Sequence, residues 1–220
     1  MMKIALAKFM ATLAIMLSIA SAAQAHPHMF FNSTAEFILD GQGRLSKLRV
    51  VFLIDELNTV YTFAELGVNK DGNQELSDEE KHKIAQNVLE GFGHYRYFTH
   101  LRDQNGAIAL GKPRSVTVQL DQLRLGLAFL IPLETPLVLS GRSISLQLYD
   151  PTYFTAITID LPPTVVGSGT ECSVSVSQPS DTEQTRRSQL LLSQLSREQT
   201  PQIENVGAVF AATTRLKCQE

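Results

Sequence analysis

The sequence predicts an α+β fold, in which an antiparallel β-rich domain carries an inserted EF-hand-like helix-loop-helix and a C-terminal helix. Two observations carry this prediction. Seven short runs of β-type sequence are separated by Gly and Pro, and one acidic segment of helical composition divides the first two runs from the other five. Strands of this length and spacing are typical of a sandwich or an open antiparallel sheet.

The first two predicted strands, residues 29–39 and 45–54, form a hairpin. Asp-Gly-Gln-Gly at 40–43 separates them, and Asp-Gly between two alternating apolar runs is a strong hairpin signal. The remaining strands are predicted at residues 115–120, 123–131, 143–149, 153–161 and 173–177.

Residues 1–25 have the pattern of a secretory signal peptide. Lys3 and Lys8 supply the positive charge, residues 9–20 form the apolar segment, and Ala-Gln-Ala at positions 23–25 is the cleavage site. Removing 25 of the 220 residues leaves 195, which suits a single domain. We therefore expect a β-rich domain over residues 26–220, secreted to the periplasm.

The expected mature chain is mildly acidic. The leader contains two lysines and no acid, so its removal changes the formal net charge from −3 to −5. This charge argues against nucleic acid or an anionic membrane surface as a partner. No later apolar run approaches the roughly 18 residues that a membrane span needs, so we expect a soluble protein without membrane insertion.

Cleavage would make His26 the new N-terminus. Its free α-amine and imidazole would lie within chelating reach of one metal ion, completed by His28 or by a distant side chain. Pro27 has no amide proton to lose, which excludes a square-planar site built from consecutive deprotonated amides. Zinc, copper and nickel accept such ligands, and the alternative is a passive polar stub. The other imidazoles belong to His82, His94 and His100.

The acidic segment at about 56–92 predicts two helices, residues 56–66 and 78–90, joined by a loop that fits a twelve-residue calcium site starting at Asn69. Oxygen donors occur at the positions where such loops bind the ion. The predicted calcium ligands are Asn69, Asp71, Asn73, Glu75 through its carbonyl, Ser77 and Glu80.

Two features of this loop weaken calcium binding. Gln74 stands where a glycine usually makes the sharp turn, and only Asp71 and Glu80 among the side-chain ligands carry charge, which predicts affinity of the order of 10⁻⁴–10⁻³ M. The alternative is that Ser77 and Glu80 form a helix capping box. Both roles can coexist.

Cys172 and Cys218 are the two cysteines of the chain. In an oxidising compartment such a pair predicts one disulfide, and two buried thiols are the alternative. The chain-entropy model gives about 4 kcal/mol for closing this loop, and the bridge would hold the tail, residues 179–220, on the domain.

Three segments each admit two interpretations. Asp55-Glu56 is a helix start or an extra pair of metal ligands. Residues 149–154 form a tight strand connection with core aromatics or a functional surface loop. Residues 179–201 form a short helix that packs on the sheet or binds a partner, through Leu190, Leu191, Leu192 and Leu195.

The order of these motifs resembles one bacterial family across residues 26–218. The motifs are the His-Pro-His start, Asp40-Gly-Gln-Gly, Asp55-Glu-Leu, the acidic loop, Tyr97-Phe-Thr and Tyr149-Asp-Pro-Thr-Tyr-Phe. The chain resembles domain of unknown function 1007, a periplasmic component of an uncharacterised transport system. The resemblance implies a membrane permease of the nickel/cobalt type as partner and a role in divalent metal traffic, and it supplies no catalytic residues.

Three functions compete. The first is a periplasmic accessory protein that binds zinc or nickel for a permease, and the second is a calcium-stabilised structural or interaction module. The third is a copper enzyme using the N-terminal chelate, although the sequence contains no hydrolase or metalloprotease motif. We expect the first function, with no catalytic residues.

Overall fold

The computed structural model describes residues 26–68, 75–167, 171–196 and 199–219. The predicted leader, residues 1–25, lies outside the described residues. Within them the strands form two sheets, one ordered β5-β6-β2-β1-β8 with β9 also paired to β1, and one ordered β10-β11-β7-β3-β4. The fold is therefore α+β and mostly antiparallel.

The strands of the first sheet are β1 (Met29–Leu39), β2 (Leu45–Ile54), β5 (Val116–Asp121), β6 (Arg124–Leu137), β8 (Thr155–Ile159) and β9 (Thr164–Val166). Those of the second sheet are β3 (Thr99–Asp103), β4 (Gly106–Ala107), β7 (Ser143–Leu148), β10 (Cys172–Ser177) and β11 (Thr213–Cys218). The helices are α1 (Glu56–Leu66), α2 (Asp78–Gly93) and α3 (Glu183–Ser193).

The predicted hairpin is confirmed with its predicted bounds. Every second residue of β1 from Phe31 to Leu39 is buried, as an alternating sequence requires when one face of a sheet packs on the core. The Asp40 carboxylate accepts hydrogen bonds from the backbone amides of Gln42 and Arg44, which closes the turn.

The sequence predicted an antiparallel sheet, but two pairings in the first sheet are parallel. β1 pairs in parallel with β8 from Met29 to Ser33 and with β9 from Glu36 to Ile38, so these two short strands follow one another along one edge of β1. Parallel pairing needs a crossover, which strand patterns in the sequence do not reveal. β1 is consequently an interior strand that meets β2 on one side and the chain's second half on the other.

Both predicted helices of the acidic segment are present. The Asp55 carboxylate caps α1 by accepting from the Asn58 amide at 3.0 Å, so its role is that of a helix start. Gly67 ends α1 in the left-handed conformation, at φ 63°. Ile84 and Val88 are the buried residues of α2.

The C-terminal helix α3 is also present, but its predicted leucine stripe is largely exposed. Leu192 is 2% exposed, whereas Leu190 and Leu191 are exposed at 61% and 44%, and Leu195 is half-buried. One leucine therefore anchors the helix.

A single hydrophobic core contains side chains from both sheets and from α1 and α2. Phe31, Phe52 and Phe129 from the first sheet and Leu101 and Ile144 from the second are almost fully buried in it. Each such side chain stabilises the fold by roughly 1.5–3 kcal/mol through removal of apolar surface from water. The shared core packs the two sheets against α1 and α2.

Candidate metal site

The segment that begins at His26 is held in place by backbone hydrogen bonds. The amides of His28 and Met29 both donate to the carbonyl oxygen of Phe154, at 2.8 and 3.2 Å. The parallel pairing of β1 with β8 starts at the next position, where Met29 is opposite Thr155. The first histidines are thus fixed against the connection between β7 and β8.

The two imidazoles lie side by side. The ring centroids of His26 and His28 are 4.9 Å apart, and the Phe154 ring lies 4.6 Å from the His28 ring and 6.4 Å from the His26 ring. Two imidazoles on one tetrahedral zinc ion, with Zn–N bonds of about 2.0–2.1 Å, would have centroids about 5 Å apart. The separation therefore suits shared coordination of one ion.

Each ring has one buried nitrogen that lacks a hydrogen-bond partner among the described residues. His26 is 2% exposed in the full-length chain, and the two nitrogens are Nδ1 of His26 and Nε2 of His28. A buried polar atom without a partner costs about 1–3 kcal/mol. A bound ion at these two nitrogens would remove that cost.

Asp150 organises the connection that supports the histidines. This residue is 3% exposed, and its carboxylate accepts from the amide and hydroxyl of Thr152 at 2.8 and 2.7 Å and from the amide of Thr155 at 3.0 Å. These bonds fix the turn that presents Phe154. The sequence pattern of residues 149–154 does not reveal this link to the histidines, because strand pairing joins the two segments across more than 120 residues.

The C-terminal tail contacts the same connection between β7 and β8. The ring of Phe210, which belongs to the short helical turn Val206–Phe210, stacks on the Tyr153 ring with a centroid distance of 4.3 Å. Residues 149–154 are therefore a strand connection, with Tyr149 and Tyr153 half-buried and Phe154 43% exposed.

Burial is the main reason why the pKa of His26 lies below its usual value. The neighbouring His28 lowers the pKa further, and the negative charge of Asp150 opposes both effects. The neutral imidazole is the form that binds metal ions. Burial therefore favours the ligand form of His26.

The described residues do not form a complete metal site from side chains alone. Within residues 26–68, 75–167, 171–196 and 199–219, no group of three or more His, Cys, Asp or Glu side chains is placed to hold an ion. A third donor would come from the α-amine of His26 after leader removal. That amine and Nδ1 of the same residue close a six-membered chelate ring with a metal ion, which leaves Nε2 of His28 as the next ligand.

The other histidines lie elsewhere. His82 and His94 are exposed, and His100 stacks on Tyr149 with a centroid distance of 3.7 Å. Burial lowers the pKa of His100 to about 4. An all-histidine site drawing on three of these rings does not form in the described part of the chain.

Asp55 and its partner Asn58 form hydrogen bonds with the backbone next to the histidines. Its carboxylate accepts from the amide of Phe30 at 3.1 Å and from the side-chain amide of Asn58 at 2.7 Å, and Asn58 also donates to the His28 carbonyl at 3.4 Å. Burial raises the pKa of Asp55, but hydrogen bonds from Asn58 and Phe30 outweigh it and leave the pKa lowered. Asp55 is therefore an ionised capping residue.

The predicted calcium loop falls mostly outside the described residues, which resume at Glu75. Asn69, Asp71 and Asn73, together with Gln74, belong to the segment that the structure does not describe. Ser77 and Glu80 form a capping box: the Glu80 carboxylate accepts from the Ser77 amide at 2.8 Å, and the Glu80 amide donates to the Ser77 hydroxyl at 3.3 Å. The capping role is confirmed, and calcium binding stays a prediction.

Cys172 and Cys218 lie directly opposite each other on β10 and β11. A disulfide joins their sulfur atoms at 2.08 Å. Such a bond is compatible with an extracellular or periplasmic location. No helix among the described residues is long and apolar enough to cross a membrane.

These features define a class of two-sheet α+β domain. In it, the segment that contains His26 and His28 is hydrogen-bonded to the connection between β7 and β8. The chain belongs to the DUF1007 family, described as a protein of unknown function, whose model matches residues 11–218. A relative from Haemophilus influenzae, described as an uncharacterized protein, is 27% identical over 199 residues, which span 89% of this chain and 92% of the relative. The family expected from the motif order is thus confirmed.

Proposed function

We propose that this protein is a periplasmic accessory protein of divalent metal transport, which binds zinc or nickel at His26 and His28 and assists a membrane permease of the nickel/cobalt type. One observation supports the proposal: the two imidazole centroids lie 4.9 Å apart, and each ring has one buried nitrogen without a hydrogen-bond partner in the described part of the chain. The permease is proposed as the partner because the resemblance of the sequence motifs to the family implies it.

The proposed site is completed by maturation. In the precursor, the His26 nitrogen is part of the Ala25–His26 peptide bond, so the chelate lacks its amine. Removal of the leader frees that amine next to Nδ1 of the same residue. Metal competence therefore depends on a chain that starts at His26.

Calorimetric titration of zinc and nickel into three forms of the protein tests this function. The forms are the chain starting at His26, the same chain with one extra N-terminal glycine, and the variant with His26→Ala and His28→Ala. The glycine moves the amine away from Nδ1, so we expect at least tenfold weaker binding, and the double variant should lose the site. His82→Ala removes an exposed imidazole and serves as the matched control.

Equal affinity of all forms would overturn the proposal. The calcium-stabilised structural or interaction module would then be the better account, since it needs neither histidine.

A further inference from the structure

A second feature of the domain lies apart from the histidines, in a cavity of about 360 Å³. Its lining includes the buried residues Tyr97, Leu101 and Ile131 and the exposed cationic residues Arg96, Arg102 and Lys112. Its volume falls at the lower end of the range for small-molecule sites. The cavity can therefore enclose a ligand the size of a single ring or a short chain.

The cavity is positively charged, although the chain as a whole is acidic. None of its described lining residues is Asp or Glu. Arg96, Arg102 and Lys112 make no ion pair within 4.0 Å among the described residues, unlike Arg142, which contacts Asp103 at 2.6 Å. Unpaired cations around a concave surface concentrate positive potential there and attract anions.

Tyr97 adds an unpaired donor to the wall. It is 8% exposed, and its hydroxyl makes no hydrogen bond to the described residues. Burial raises the pKa of this hydroxyl, which keeps the group protonated and able to donate. The hydroxyl is therefore free to donate to a ligand oxygen in the cavity.

The backbone beside this tyrosine is strained. Arg96, Tyr97 and Phe98 have φ angles of 55°, 53° and 54°, in the left-handed region that non-glycine residues rarely adopt. Three such residues in succession persist only when the surrounding structure holds them, and strain of this kind clusters at ligand sites. Here it places a guanidinium and a phenol on the same cavity.

We propose that this cavity binds a small organic carboxylate with an apolar body, such as a single ring or a short chain. The guanidinium groups of Arg96 and Arg102 suit the carboxylate because each can donate two parallel hydrogen bonds to its oxygens. The Tyr97 hydroxyl donates a further bond, and Leu101 and Ile131 contact the apolar body of the ligand. The site needs no metal ion, so it stands independently of the proposed metal function.

Titration of benzoate into protein that has been stripped of metal ions with EDTA and then dialysed into chelator-free buffer tests this site, with the ring signals of His100 followed by NMR, since His100 lines the cavity. We expect saturable shifts with benzoate. Benzamide has the same ring without the charge, acetate has the charge without the ring, and each should bind at least tenfold more weakly. Absence of saturation with benzoate, or equal binding of benzamide or acetate, would overturn the proposal.

Three variants locate the binding. Arg102→Gln should weaken benzoate binding at least fivefold, and Tyr97→Phe, which keeps the ring, at least threefold. Arg187→Gln removes the same charge from an exposed position of α3 and should leave the affinity unchanged. Equal weakening by Arg187→Gln would show a general charge effect and refute the site. Because Arg102 is exposed, its substitution tests the proposal even if Tyr97→Phe disturbs folding.

Discussion

Gly207 lies directly against the backbone carbonyl of Asp150. A β-carbon at position 207 would overlap that oxygen and stand 3.0 Å from the carbonyl carbon. The contact seats the turn Val206–Phe210 on the connection that supports both histidines. It therefore links the C-terminal tail to the candidate metal site.

Gly207→Ala should destabilise the domain by about 2 kcal/mol, because the added methyl group forces two backbone segments apart. Urea unfolding measures the change in the free energy of unfolding. Gly91→Ala is the matched control, since a β-carbon there meets nothing within 4 Å and alanine favours the helix by up to about 1 kcal/mol. A Gly207→Ala variant as stable as the wild type would contradict the contact.

The mature chain should begin at His26, because Ala23 and Ala25 supply the small residues that leader cleavage requires. Intact mass of protein recovered from the periplasm measures the start. A chain starting at another residue would lack the proposed chelate.

Cys172 and Cys218 should be fully oxidised in protein from the periplasm, because strand pairing places them opposite each other. Thiol labelling under denaturing conditions should detect no free sulfhydryl without reductant and two after reduction. Two labelled thiols before reduction would rule out the bond.

Millimolar calcium should raise the melting temperature by about 2–4 °C if the loop from Asn69 to Glu80 binds it, because a ligand of the native state stabilises that state by mass action. Glu80→Gln should abolish the shift. Glutamine at this position still supports a capping box, so the substitution separates calcium binding from helix capping. If calcium leaves the wild type unchanged, the segment is only a capped turn.

Stability should fall as the pH drops from 6.5 towards 4, partly because of His100. Burial lowers the pKa of its ring to about 4, and the charge of Arg96 acts in the same direction, whereas a hydrogen bond to Tyr149 opposes them. The unfolded chain therefore binds more protons than the folded one across this window, which removes about 2 kcal/mol of stability after allowance for partial exposure of the ring.

Urea unfolding at a series of pH values measures this loss. His100→Gln should flatten the pH dependence between 6.5 and 4, whereas His82→Gln, at an exposed position, should leave it as in the wild type. Identical slopes for His100→Gln and the wild type would show that another group controls the effect.

The sequence predicted those elements that its local pattern determines. β1 and β2 have strict alternation and an Asp-Gly turn, and Asp55 and Ser77 mark the starts of α1 and α2. Strands β3, β4, β9 and β11 were not predicted from the sequence. β3 contains one apolar residue, Leu101, and its strand conformation depends on pairing with β7.

The two candidate sites also differ in how far the local sequence reveals them. His26 and His28 could be named from the sequence because only Pro27 separates them. Asp150 and Phe154, which support them, could not be assigned because parallel strand pairing brings them to the histidines. The carboxylate cavity draws on several separate segments. A left-handed turn at Arg96 and Tyr97 has no glycine to signal it.

The hydrogen bond from the His28 amide to the Phe154 carbonyl also bears on the order of events in the predicted maturation. The predicted cleavage bond lies two residues before His28, and proteases cut chain segments whose backbone is exposed and free. If the predicted leader is removed at that bond, we expect its removal before β8 pairs with β1. A precursor that folded first would then keep its leader and the blocked amine of the proposed metal site.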